Sequence, residues 1–111
     1  MKILEYSDSV IRNNTWDGLL INITVDGEPI DLSDAEARMT FKAGSASGDI
    51  MYSIDSAKEI VMNDQGQVLV QPMVIEFPEG LYVADLELKR NNVVKTHFRL
   101  FLTVEPTTNV W

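Results

Sequence analysis

Polar and apolar residues alternate most strictly between Phe77 and Val104, in F-P-E-G-L-Y-V-A-D-L-E-L-K-R-N-N-V-V-K-T-H-F-R-L-F-L-T-V. Tyr82, Ala84, Leu86 and Leu88 fall on one parity, while Asp85, Glu87 and Lys89 fall on the other. Beyond Lys89-Arg90-Asn91-Asn92, the positions Val94, Phe98, Leu100, Leu102 and Val104 resume the apolar side against Val93, Lys95, His97, Arg99 and Thr103. A period of two belongs to strands with one buried face and one wet face. Two such runs joined by a short polar turn predict an antiparallel hairpin.

The rest of the chain repeats the theme in shorter units. Met1–Tyr6 reads as an edge strand and Ser7–Ser9 as a polar break. Val10–Asn14 leads into a strand over Thr15–Val25, where Leu19, Ile21, Ile23 and Val25 alternate with Asn22 and Thr24. Asp26-Gly27-Glu28-Pro29 is a turn, because Gly supplies a positive φ and Pro cannot donate to a ladder. Ser33 and Glu36 have capping-box spacing, yet Ala37, Met39, Phe41 and Ala43 share a parity and Gly44–Gly48 follows too soon for a helix. Glu36–Lys42 is therefore a strand. Another covers Asp49–Ile54, with Ile50, Tyr52 and Ile54 in phase, and Lys58–Met62 with Gln67–Gln71 forms a hairpin about Asn63-Asp64-Gln65-Gly66. Met73–Phe77 fits either an irregular crossing or one turn of helix, and Thr107–Trp111 is a tail.

Seven or eight short strands with turns every 8–12 residues predict an all-β sandwich or barrel. Small sandwiches usually close by Greek-key connections, so the expected layout is an immunoglobulin-like antiparallel β-sandwich, with a closed barrel second. At 111 residues the chain makes one domain, residues 1–111, with 107–111 as its tail.

Charge and composition narrow the partners. The net charge is −8 and only nine Lys and Arg are spread along the chain, which argues against a phosphate-binding surface and hence against nucleic acid. No apolar run approaches the ~20 residues of a membrane helix, so no membrane partner is expected, and no secretory leader is evident. Cysteine is absent, which removes disulfides, thiolate nucleophiles and thiolate metal ligands.

Candidate chemistry is thin. His97 is the single histidine, lies among Lys95 and Arg99 on the outward parity, and has no G-x-S-x-G elbow to serve. Acidic residues gather at Asp26, Glu28, Asp31, Asp34 and Glu36, and at Asp55, Glu59 and Asp64, but their spacing fits no EF-hand loop and turns favour Asp anyway. Gly44–Gly48 opens no helix, so it makes no phosphate cradle. No cofactor, no metal and no catalysis are expected. Aromatic and apolar positions off the core parity say more. Trp16 sits on the parity opposite Leu19 and Ile21, Val83 and Phe101 point outward from the closing hairpin, and Trp111 ends the chain. These four are the candidate interface residues.

Larger pieces then align. They are R-N-N-T-W (12–16), D-G-E-P-I-D-L-S (26–33), A-R-M-T-F-K (37–42), F-P-E-G-L-Y-V-A-D-L-E-L (77–88) and V-E-P-T-T (104–108). This order resembles the small immunoglobulin-like domains of tailed-phage and prophage structural proteins, including the amino-terminal part of upper-baseplate proteins. Those carry an R-G-D-T-W-like opening, a G-x-P-I-D-L corner, a P-x-G-x-Y-x-x-D-L hairpin and a closing V-x-x-D-V-T. Here Asn13-Asn14 stands where the family has Gly-Asp. The resemblance implies a virion structural protein of the tail or baseplate, made in the bacterial cytoplasm. It would contact other virion proteins, form a homo-oligomer and have no active site. A capsid decoration protein and a carbohydrate- or host-surface-binding module are the competing expectations.

Overall fold

The computed structural model describes residues 3–107, and no helix occurs among them. Two long strands dominate, β11 (Gly80–Arg90) and β12 (Val93–Glu105), with Asn91 and Asn92 both at positive φ between them. Two consecutive left-handed residues are what a two-residue type I′ hairpin requires, and Asn tolerates that region better than most residues. The predicted closing hairpin is therefore present. On its flanks lie β6 (Glu36–Ala43), antiparallel to β11, and then β7 (Ile50–Asp55), antiparallel to β6. On the other flank β1 (Leu4–Ile11) runs parallel to β12. The resulting five-stranded order is β1-β12-β11-β6-β7. Expectation and structure differ here in two ways. The sheet is not wholly antiparallel, and Ser7–Ser9 is the middle of a strand rather than a break.

A second sheet has the order β3-β9-β8, from β3 (Leu19–Asn22), β8 (Ile60–Met62) and β9 (Gln67–Val70). The predicted hairpin around Gly66 is its β8–β9 pair, with Gly66 at φ 72°. Two ribbons complete the chain. One joins β2 (Thr15–Trp16) to β10 (Met73–Val74), and the other joins β4 (Thr24–Val25) to β5 (Glu28–Pro29). Met73–Phe77 is thus an irregular crossing and not a helical turn.

The strand predicted over Thr15–Val25 is broken into three. At Gly18 the chain takes φ 77°, and a Cβ there would lie 2.1 Å from the Val70 carbonyl oxygen. Only glycine passes that point. The kink also resets the alternation, so Trp16 and Ile21 are both buried although their parities differ. Met39, Phe41, Leu86, Leu100 and Leu102 of the large sheet and Ile21, Ile60, Val68 and Val70 of the small one form a single apolar cluster with Trp16, Leu32 and Ile75. An all-β fold whose sheets share one core is compatible with a β-sandwich.

A bulge explains another departure. Leu86 pairs with Phe98 but Glu87 pairs with Thr96, leaving His97 as the extra residue. One inserted residue inverts the faces beyond it. Val94, expected inside, is consequently exposed and shares the solvent face with Lys89.

Candidate contact surface

Trp16 is 2% exposed and belongs to the core, not to the surface. Its ring meets Phe41 edge-on at 6.2 Å, and its indole Nε1–H donates to Asp8 Oδ2 at 2.9 Å. A buried Trp needs such an acceptor for its one polar atom. This bond ties β1 to the β2–β10 ribbon and accounts for a carboxylate in mid-strand. Val83 is on the outward parity as expected but is 4% exposed, and it lines a small hollow with Lys42 and with Ala46 of the 44–48 loop. Phe101 is half-buried on the same outer face, directly across from Val83. Trp111 lies outside the described residues. Of the four expected interface residues, two are covered within the chain and one is half-covered.

The acidic turns are occupied with local bonding. Asp31 Oδ1 accepts from the Ser33 hydroxyl at 2.6 Å and from the Ser33 N–H at 2.9 Å, and these bonds hold its carboxyl below the usual range. Asp55 Oδ1 accepts from Ala57 N–H at 2.9 Å. Asn63 Oδ1 takes the N–H groups of Gln65 and Gln67 at 2.9 and 3.1 Å, which builds the β8–β9 turn. Among the described residues no group of three or more His, Asp or Glu is placed to hold a metal ion. His97, at its bulge, is held below its ordinary pKa first by burial and then by Lys95. On the outer face Arg99 clamps Asp85 with two bonds, 2.7 Å from Nε and 3.0 Å from Nη2.

Concave surface is limited. A groove of about 490 Å3 opens between the facing edges of β1 and β3, lined by Leu4, Tyr6, Leu20 and Phe98 among others. A hollow of about 320 Å3 under the β11–β12 tip brings Val25 and Ile30 to Arg90, Lys95 and His97. A third, of about 520 Å3, is polar, with Glu36, Arg38, Asp55, Glu87 and Lys89 alternating in sign.

Sequence reasoning missed the β7 edge. Ile50 is 66% exposed, Tyr52 46% and Met51 39%, and all three lie on the last strand of the five-stranded sheet. Tyr52 rests on Phe77 with ring centroids 5.9 Å apart, at the margin of an aromatic group that continues through Phe41 and Tyr82. Five successive residues, Ile50–Ile54, carry no charge. That uncharged run was the available signal, but alternation reports faces and does not say which strand ends the sheet. No family model, curated protein or solved structure matches this chain.

Proposed function

We propose that this chain is a non-enzymatic structural component of a tailed-phage or prophage virion, in the tail or baseplate. In this reading it is an immunoglobulin-like sandwich held in place by neighbouring virion proteins. Two features favour that layout. The strand orders β7-β6-β11-β12 and β8-β9-β3 are compatible with the C′-C-F-G and D-E-B sheets of a variable-type immunoglobulin domain. Tyr82, near the start of β11, donates its hydroxyl to the Pro78 carbonyl four residues upstream, as the tyrosine corner of such domains does. The motif resemblance runs through the same corners. Leu32 of the D-G-E-P-I-D-L-S segment is buried, and Asp31 bonds Ser33 across the bend.

The observation that carries the assembly reading is the uncovered apolar edge at Ile50, Met51 and Tyr52. A sheet edge with apolar side chains and unpaired backbone groups gains by being covered, and a structural protein is where such covering is permanent. The test is mass spectrometry of particles purified after prophage induction in the organism that carries the gene. The protein is expected at a fixed ratio to other tail proteins. Its absence from particles, with the chain left free in the lysate, overturns the proposal.

A further inference from the structure

We infer that β7 is a self-pairing edge: two copies of this chain join antiparallel along Ile50–Asp55, about a two-fold axis, into one continuous sheet. The inference rests on the assembly reading above and names the surface and its occupant.

The backbone leaves half of β7 open. Ser56 N–H donates to the Ala37 carbonyl, in the same register that pairs Ile54 with Met39 and Tyr52 with Phe41. Bonded residues alternate along an antiparallel strand, so Ile54 and Tyr52 face β6 while Ser53 and Asp55 turn their backbone groups to the free edge. The Asp55 carbonyl is taken up by Lys58 and Glu59 N–H in the following turn. The N–H and C=O of Ser53 and the N–H of Asp55 remain available to a second strand.

Edges of this kind are normally guarded by charge, proline or strong bulging. β7 has no proline and no Lys or Arg, and its single charge is at its last residue. A bulge does occur, between Phe41 and Lys42, with Met51 as the inserted residue. It limits regular pairing to Tyr52–Asp55 and leaves Ile50 facing solvent beyond it.

Charge identifies the occupant. With a net charge of −8, two copies repel wherever their acidic turns approach. Along β7 that repulsion is smaller, because the one acid of the strand is its last residue. Asp55 lies across from Arg38, and Asp49 adjoins Ile50, which lies across from Lys42. A basic partner would find its counter-charges on the acidic turns elsewhere, not on an uncharged strand. A copy of the same strand finds matching backbone groups and matching apolar side chains, as an isologous contact requires. A register centred on Ser53 puts Tyr52 opposite Ile54 and Asp55 opposite Met51, so no two acids meet. A contact carried by six residues a side is well short of the roughly 20–30 residues a side of a standard interface. The pairing is therefore weak and concentration-dependent in the free chain, and it becomes firm where subunits are held at high local concentration.

The test is sedimentation of the purified chain over a concentration series, paired with hydrogen exchange at each concentration. A monomer–dimer equilibrium is expected, in which the Ser53 and Asp55 amides slow as dimer accumulates while amides of β1 do not. Ile50→Lys, and Met51→Glu, which sets a second acid opposite Asp55 of the copy, should each weaken the dimer roughly tenfold with the melting temperature unchanged. A monomer at every concentration overturns the inference. So does any oligomer in which the Ser53 amide stays free, or whose association both variants leave unaltered. The two proposals fail separately. A chain present in particles with an open β7 edge loses only the pairing, and a β7 dimer absent from particles loses only the virion placement.

Discussion

The five-stranded sheet ends differently on its two sides. β1 closes one side with Glu5 and Asp8 inside an eight-residue strand, and Asp8 reaches across to the Trp16 indole. β7 closes the other with an uncharged run in which Ile50–Ser53 meet solvent and Ile54 alone is buried. Both edges display apolar groups, for Leu4 and Tyr6 of β1 are exposed as well. What separates them is anchoring. β1 is parallel to β12, is charged, and is bonded through Asp8 to the β2–β10 ribbon. β7 pairs with β6 alone, with Ile54 in the core, Tyr52 on Phe77 and Asp55 bonded to the turn that follows it. One edge serves the fold, and the other is left for something outside it.

The sharpest test of this contrast is Trp16→Ala. Removing a buried indole from the centre of the core should destabilise the chain by about 3–5 kcal/mol, read from urea unfolding. A loss below about 1 kcal/mol would mean that Trp16 is not the anchor that sets β1 apart. Next in size is Asp8→Ala, which leaves the indole N–H without its acceptor and should cost about 1–3 kcal/mol. Combining it with Trp16→Phe in a double-mutant cycle should show coupling between the two sites, since either change alone breaks the same bond. Additive effects would assign Asp8 a different role.

The hairpin from Phe77 to Val104, β6 and the β8–β9 turn were legible because their information is local. Alternation gives the face, and Gly or Asn gives the turn. What was not legible came from contacts distant in sequence. Nothing near Gly18 announces that the Val70 carbonyl will lie where its Cβ would be, yet that approach resets the parity of Trp16. The inserted His97 is invisible until its partner strand is known, and it moves Val94 from core to solvent. Val83 was assigned its outward parity, but its burial beside the 44–48 loop that follows β6 is not visible in alternation. The β7 edge follows the same rule. Ile50–Ile54 reads as an ordinary strand, and its exposure depends on which strand the topology places last.

On the β7 side the effects on folding should be smaller. Tyr52→Ala removes a half-exposed ring from Phe77 and should cost about 1 kcal/mol. A loss as large as that of Trp16→Ala would erase the distinction between the edges.

Smallest of all is the effect of placing one charge on each edge. Ile50→Lys and Leu4→Lys both substitute exposed side chains, so each should move stability by no more than about 0.5 kcal/mol in thermal or urea unfolding. Their consequences for association should differ. The lysine on β7 should shift concentration-dependent protection of the Ser53 amide to roughly tenfold higher concentration, because it brings a hydrated charge to the strand that must lie against its own copy. The lysine on β1 should leave that protection intact, because β1 already carries charge and no copy is expected to pair there. If both variants block association equally, the contact depends on the net charge of the whole molecule and not on β7. If the β1 variant alone blocks it, the roles assigned to the two edges are reversed.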